Sequence, residues 1–362
     1  MAKDTQTPAE ALALIIGASG IIGNNLTRHL LDRKWTVYGL ARRPPTDIPG
    51  LRPVAADLLK PDGLRDALAG LQPTHLFLSV WMRQPTETEN IAVNGAIVRN
   101  ILDALSDRSS LRHVALVTGL KHYMGPFEAY GKGYLPETPL REEQGRLPFP
   151  NFYYTQEDEV FSAAKRQGFS WSVHRPHTVI GYALGNAMNM GVTLATYATI
   201  CHETGRPFLF PGSPIQWNGL VDITDARLLA QHLEWAATAE SARDEAFNIV
   251  NGDMFRWRWM WPQLAAYFDL EAAPYPGHAT SLEGQMCDDG RMWTRIAERE
   301  GLIEVNLDRL ASAWHTDLDL GLEVECMADI VKSRKAGFLG YQDSRDSFFD
   351  LFNRLRRERV IP

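Results

Sequence analysis

Two short segments of this chain carry side chains suited to stabilising a developing negative charge. Thr118-Gly119-Leu120-Lys121-His122-Tyr123-Met124-Gly125-Pro126-Phe127 offers an amine, and Asn151-Phe152-Tyr153-Tyr154-Thr155-Gln156-Glu157-Asp158 offers a pair of phenols. A third segment, Gly17-Ala18-Ser19-Gly20-Ile21-Ile22-Gly23, repeats glycine at every third position. Such a triplet lets a chain turn sharply at Gly17, lets backbone N–H groups approach a pyrophosphate at Gly20, and lets a helix pack closely at Gly23. A phenol and an ammonium beside the nicotinamide end of a dinucleotide would then hold a substrate oxygen that gains charge during hydride transfer. A donor of that kind in a dry site contributes on the order of 3 kcal/mol, because it acts only where charge develops.

The elements that must position these groups read as alternating strands and helices. Residues 12–16 are an apolar run feeding the glycine turn, and an amphipathic stretch follows to about Arg33. Its N-terminus turns free N–H groups and a positive dipole end toward phosphates, with Ser19, Ile21 and Ile22 in that turn. The second strand, residues 35–41, is followed at once by Arg42-Arg43-Pro44-Pro45. An acid at that strand end would serve the ribose hydroxyls of NAD, whereas arginine accommodates a 2′-phosphate, so the pattern points to NADPH. A solvated basic turn would carry the same residues. Further strands are expected at 51–57, 74–80, 112–118 and 169–173, with helices at 61–69, 87–105 and 151–164 between them. Asp57 and Leu58 end the third strand and would meet the adenine edge, while Ser79 and Thr118 sit at the ends of the fourth and fifth. The pattern predicts an α/β fold with a Rossmann doubly wound parallel sheet.

Beyond Pro176 the pattern changes to a long Gly-, Met-, Trp- and Tyr-containing stretch through Leu220, then a helix at 224–239 and a strand at 246–250. We expect residues 1–180 to be mainly the dinucleotide-binding domain. Residues 181–362 are expected to be mainly a smaller, interwoven substrate-binding region that returns to the first domain over 220–252. Helices are expected around 327–335 and 344–357, and Trp257-Arg258-Trp259-Met260-Trp261 reads as core, since large rings dominate buried area. At 362 residues with a net charge of −7, the chain has no basic excess that would suggest nucleic acid. The arginines between 354 and 359 lie among acids and read as a solvated helix face. No apolar run reaches the ~18 residues of a membrane helix, and the first ten residues lack a signal-peptide pattern. The cytoplasm is the expected compartment. Cys201, Cys287 and Cys326 are odd in number and far apart, which fits reduced thiols. Nothing reads as a metal site, and the sequence leaves monomer and homodimer open.

Ordinary short-chain dehydrogenases pair a tyrosine with a lysine one helical turn later, but the residue four after Tyr153 is Glu157. Lys121, on the neighbouring strand end, is the cation that topology brings nearest. Taken with Gly-Ala-Ser-Gly-Ile-Ile-Gly, Ala-Arg-Arg-Pro, Lys-His-Tyr-Met-Gly-Pro-Phe, Asn-Phe-Tyr-Tyr, Trp-Ser-Val-His-Arg-Pro and Phe-Asn-Ile-Val-Asn-Gly-Asp, this arrangement resembles the progesterone 5β-reductase/iridoid synthase-like (PRISE) enzymes, which are atypical extended short-chain dehydrogenases. The resemblance runs from residue 12 to the closing Val-Ile-Pro. It implies NADPH-dependent 1,4-reduction of the activated C=C bond of a small apolar enone, enal or steroid-like substrate, with Tyr153 and Lys121 as the catalytic pair.

The resemblance also places Trp81, Met124, Phe127 and Phe338 at pocket positions, and Pro176, Thr178 and Val179 where related dehydrogenases hold the nicotinamide carboxamide. The chain departs from the plant pattern in two places. Leu120 replaces an arginine before Lys121, and Arg-Pro-His-Thr-Val-Ile-Gly-Tyr replaces Arg-Pro-Gly-Asn-Ile-Phe-Gly-Phe, so steroid specificity is not carried over. His174 and His177 read as structural. Carbonyl reduction or sugar-nucleotide epimerisation, known in extended relatives, remains an alternative, as does a non-catalytic NADPH sensor.

Overall fold

The computed structural model describes residues 11–126 and 136–362. Six strands alternate with helices through the first half: β1 (Leu12–Ile16), α1 (Ile21–Asp32), β2 (Thr36–Ala41), β3 (Arg52–Ala55), α2 (Pro61–Ala67), β4 (His75–Leu78), α3 (Glu87–Ala104), β5 (His113–Val117), α4 (Lys121–Met124), α5 (Phe152–Gln167) and β6 (Ser170–Pro176). The second half adds β7 (Val179–Ile180), α6 (Met190–Thr204), α7 (Pro214–Asn218), β8 (Thr224–Asp225), α8 (Ala226–Thr238), β9 (Glu245–Ile249), α9 (Trp257–Tyr267), α10 (Leu282–Met286), α11 (Gly290–Glu300), α12 (Ala313–Leu320), α13 (Val331–Lys335) and α14 (Ser344–Arg357). Seven strands form one sheet in the order β3-β2-β1-β4-β5-β6-β9. Every pairing is parallel. The strand order reverses between β1 and β4, which opens a crevice above their carboxyl ends.

Both faces of the sheet are covered, as a parallel sheet requires. Leu14, Ile16, Leu76, Leu78, Val114 and Leu116 pack toward α2, α3 and α5. The alternate residues Ala13, Ile15, Phe77, Ala115 and Val117 pack toward Leu26 and Leu30 of α1 and Leu229 and Leu233 of α8. α8 and β9 come from the second half of the chain, so that half is woven into the sheet layer. Pro53 lies in β3, at the sheet edge, where its missing N–H costs no ladder bond.

A separate core is built almost wholly from residues after 180, around Trp257, Trp261, Trp293, Phe208, Phe210, Phe348 and Phe352. Phe208 and Trp261 stack with centroids 4.2 Å apart. Two expectations shift here. The helix expected over 327–335 begins only at Val331, because Ala328 bridges Leu140 and donates its N–H to Asp222 Oδ2 at 2.7 Å. The stretch after Pro176 contains α6, which is buried from Met190 through Cys201 and so has no polar face to give it a helical period. Arg354 and Arg356 of α14 lie over the rings of Tyr182 and Tyr267, at 3.7 and 4.6 Å. Among the described residues no helix is long and apolar enough to cross a membrane.

Candidate functional site

The glycine turn sits above β1 at the strand-order reversal. Gly17 has φ of +87°, and a Cβ there would lie 2.9 Å from Ser79 O. Gly23 is tighter still, since its Cβ would stand 2.2 Å from Gly17 O. Gly20 differs. A Cβ there would meet Gly17 O only at 3.4 Å and Asn186 Nδ2 at 3.7 Å, so internal packing does not demand the glycine. What it leaves is a bare approach to the N-terminus of α1, with Ser19 exposed beside it and no acid in the first turn. A pyrophosphate fits that cradle.

Arg42 and Arg43 are exposed just past β2, and among the described residues neither is in an ion pair. Asp57 Oδ1 accepts from Leu59 N at 3.0 Å, and Leu58 is buried with its carbonyl held by Asn100 Nδ2 at 2.9 Å. Ser79 Oγ donates to Ile16 O at 2.8 Å and Thr118 Oγ1 to His174 O at 3.4 Å. Both hydroxyls therefore join neighbouring strand ends at the crevice floor.

The amine and the phenol come from different elements, whose backbones are tied by Asn151. As N-cap of α5, its Oδ1 accepts from Tyr153 N at 3.0 Å, and its Nδ2 donates to Lys121 O at 3.0 Å. Tyr153 rests over Gly119 at the end of β5: its Oη would be 3.2 Å from a Cβ on that glycine. Burial first, and then the carboxylates of Glu87 and Asp319, push the phenol well above its ordinary pKa. It is a neutral hydrogen-bond donor at physiological pH. Lys121 is 4 % exposed, its Nζ lying 3.1 Å from Glu87 Oε2 and 4.4 Å from the centre of the Phe152 ring. That ring also packs against Tyr153 at 4.4 Å and against Trp81 at 5.5 Å. Phe152 is thus the common neighbour of the ammonium, the phenol and Trp81.

Glu157, at the position where ordinary relatives carry lysine, points elsewhere. It takes Arg146 Nη2 at 2.9 Å and Arg175 Nη2 at 3.2 Å, with His122 Nδ1 at 3.5 Å. Burial alone would raise its pKa, but His122 and the two guanidiniums outweigh burial and hold it at about 2. Tyr154 belongs to the same scaffold, its Oη donating to His122 O at 2.6 Å and accepting from Leu147 N at 3.0 Å. His174 joins Ser172 Oγ at 2.8 Å and His232 Nδ1 at 2.9 Å beneath the sheet end. His177 Nδ1 pairs with Asp222 Oδ1 at 2.8 Å, anchoring the segment from Pro176 to Val179.

The second half of the chain closes over this site. Asp319 of α12 accepts the Thr178 hydroxyl at 3.0 Å, and the Arg83 guanidinium stacks 3.4 Å above Trp314 of the same helix. Met124 is half-buried against the cluster of Leu120, Tyr123, Leu140, Leu322 and Cys326. Phe127 lies outside the described residues. Phe338 corrects the expected pocket: Gly337, at φ +110°, turns it inward between His232 and Trp235 at 4.6 and 5.5 Å. That is the α8 side of the sheet, opposite α5, so Phe338 is core there. Asn151, Glu87 and Asp319 were not singled out from the sequence. Glu87 left a signal, because Thr86 and Glu89 already complete a capping box and a second acid beside them is surplus to it.

A parallel sheet in this order, with a glycine turn at its first β–α junction, defines a Rossmann doubly wound fold. The solved structures agree on the fold. The Bordetella bronchiseptica enzyme WbmG, in complex with NAD and UDP, matches with a TM-score of 0.67 over 98% of this chain and 97% of that one, at 14% identity. UDP-glucose 4-epimerase from Thermotoga maritima matches with a TM-score of 0.68 at 12% identity, over 96% of this chain and 99% of that one. Residues 68–362 match the model of the PRISE-like Rossmann-fold domain, and the chain belongs to that family. An (S)-8-oxocitronellyl enol synthase of Camptotheca acuminata is 38% identical over 99% of this chain and 95% of its own length. The 3-oxo-Δ(4,5)-steroid 5β-reductase of Arabidopsis thaliana is 38% identical over 98% of this chain and 94% of its own.

Proposed function

We propose that the chain is an NADPH-dependent ene-reductase that delivers hydride to the β-carbon of an enone or enal. The observation that supports this reading is that Asn151 ties the backbones of Lys121 and Tyr153 and the Phe152 ring packs against both side chains, while Glu157 is withdrawn into the Arg146–Arg175 scaffold. Hydride addition to a conjugated β-carbon moves an electron pair onto the carbonyl oxygen as an enolate. Tyr153, neutral and desolvated, donates to that oxygen, and the ammonium of Lys121 adds positive charge beside it. The α-carbon takes its proton afterwards, and water suffices for it. One relative is named for a 3-oxo-Δ(4,5)-steroid, which is itself a conjugated enone, and this supports the substrate class. Glu157, ion-paired away from the phenol, weighs against the tyrosine–lysine helix chemistry of carbonyl reductases and epimerases.

NADPH would supply the hydride, with its diphosphate at Gly17, Gly20 and Gly23 and its 2′-phosphate at Arg42 and Arg43. Asp57 and Leu58 would border the adenine, and Pro176, Thr178 and Val179 the carboxamide. Trp81 and Met124 would wall the substrate, a small apolar terpenoid-like or steroid-like carbonyl compound. The test is NADPH consumption with a simple enone and with the matching saturated ketone. Oxidation with the enone alone, yielding the saturated ketone, is expected; an alcohol product would refute the reading. Arg42→Ala with Arg43→Ala should weaken NADPH at least tenfold while leaving NADH within about twofold.

A further inference from the structure

The carboxylate of Glu87 touches both segments that carry the proposed catalytic pair. Its Oε2 accepts from Lys121 Nζ at 3.1 Å, and its Oε1 accepts from Phe152 N at 2.7 Å. Phe152 opens α5 and Tyr153 follows it, so this bond fixes the helical turn that aims the phenol. Glu87 is itself held firmly at the first position of α3. Thr86 Oγ1 accepts from Glu89 N at 3.3 Å in the capping box, and Asn90 Nδ2 donates to Glu87 Oε2 at 3.3 Å. The side chains of Lys121 and Glu87 keep only 4% and 11% of their surface. In such surroundings a carboxylate against the ammonium stabilises it, since burying an ion is costly. Among the described residues, Tyr153 from α5 and Asp319 from α12 also face this cluster, and His122 is turned to Glu157.

Resting on the ene-reductase reading, we propose that Glu87 is its positioning residue. One carboxylate oxygen holds Lys121 as an ammonium, and the other sets the first turn of α5, so that amine and phenol reach one substrate oxygen at a fixed spacing. A helix-capping role alone would use neither bond. The carboxylate has no need to touch substrate, because it acts through Lys121 and Tyr153.

The test compares the purified wild-type chain with Glu87→Gln, Glu87→Asp, Lys121→Met and the Glu87→Gln/Lys121→Met double variant, using NADPH and cyclohex-2-enone. Glu87→Gln should lower kcat by about tenfold to a hundredfold with KM for NADPH within about twofold, a split that points to the transition state. The alkaline limb of its rate–pH profile should move to lower pH, because an ammonium without its carboxylate loses its proton more readily. Glu87→Asp keeps the charge on a shorter arm and should lose less kcat with the limb unmoved. In the Lys121→Met background, Glu87→Gln should cost under about twofold, because the ammonium is already gone and the amide oxygen still accepts from Phe152 N.

Wild-type kcat and profile in Glu87→Gln would overturn the proposal even if its melting temperature fell, and so would an equal loss in the Lys121→Met background. If Glu87→Gln does not fold, Glu87→Asp decides: a lowered kcat supports the proposal and a wild-type kcat overturns it. Failure of the wild-type chain to reduce the enone would instead remove the ene-reductase reading. A competent wild type with a slow Tyr153→Phe and an unaffected Glu87→Gln removes only the role of Glu87.

Discussion

The sheet layer and the core built after residue 180 are stabilised in different ways. In the sheet layer small residues and buried polar groups set the geometry: Gly17 and Gly23 admit backbone contacts no side chain would allow, and all six buried histidines, His75, His113, His122, His174, His177 and His232, lie in or against it. The later core is held by large rings, with Trp257, Trp261 and Trp293 almost without exposed surface. The first region is specified by conformation and hydrogen bonding, the second by volume and packing. The proposed chemistry lies where they meet, with α5 below and α12 above. An error at a ligand-facing residue of the first region should damage binding or turnover at little cost in stability, while an error in the second should damage stability.

The largest effect is expected in the ring core. Trp261→Ala removes the partner of Phe208 and should cost about 3–5 kcal/mol, read as a lowered urea midpoint. A loss below about 1 kcal/mol would mean that this core does not carry the second region. Next, Tyr153→Phe keeps the ring against Phe152 and removes only the hydroxyl. Turnover should fall by about a hundredfold, on the order of 3 kcal/mol, with NADPH affinity and melting temperature nearly unchanged.

The glycine turn gives a sharper comparison within one loop. Gly23→Ala puts a methyl 2.2 Å from Gly17 O and should destabilise by about 1–3 kcal/mol or more. Gly20→Ala has room, so its stability should stay within about 1 kcal/mol while NADPH affinity falls at least tenfold. Calorimetric melting beside cofactor titration separates the two; equal destabilisation would erase the distinction.

The smallest effect per step is acid sensitivity. Burial lowers His75 to about 4, against a weaker opposing contribution from the Ala237 backbone, and lowers His232 to about 3. The unfolded chain, near 6.5, therefore binds these protons first. Stability is complete above about pH 6.5 and is lost as pH falls toward about 4, by at most about 1.4 kcal/mol per unit for each histidine. Urea midpoints measured between pH 7 and pH 4.5 check this. A flat profile for the parent, or the same slope in His232→Gln, would take the histidines out of it.

Much of the sheet layer was legible from the chain itself. Strand and helix periods gave β1 to β6 and α1, α2, α3 and α5 within a few residues, and helix α14 matched its expected span; the single turn α4 was read as loop. α6 was not legible, because burial on all sides removes the polar face that marks a helix. Lys121, just past the fifth strand, and Tyr153, in the helix before the sixth, were singled out by residue type and place. Asn151 was hidden, since an asparagine before a helix reads as a local helix start, and the surplus acid Glu87 did not say which distant cation it would meet. Phe338 was misplaced because an apolar residue in a glycine-flanked loop gives no sign of which side of the sheet it will enter.

By itself the sequence determined which backbone shapes were available: glycine where φ must be positive, alternating apolar runs for strands, and no acid where two arginines follow β2. Those are local properties, fixed within a few residues by sterics and solvent. Only the tertiary structure decided which charged groups became partners. Glu157 went to arginines and Glu87 to Lys121, because a buried ion takes whichever opposite charge the packing of distant segments brings within reach.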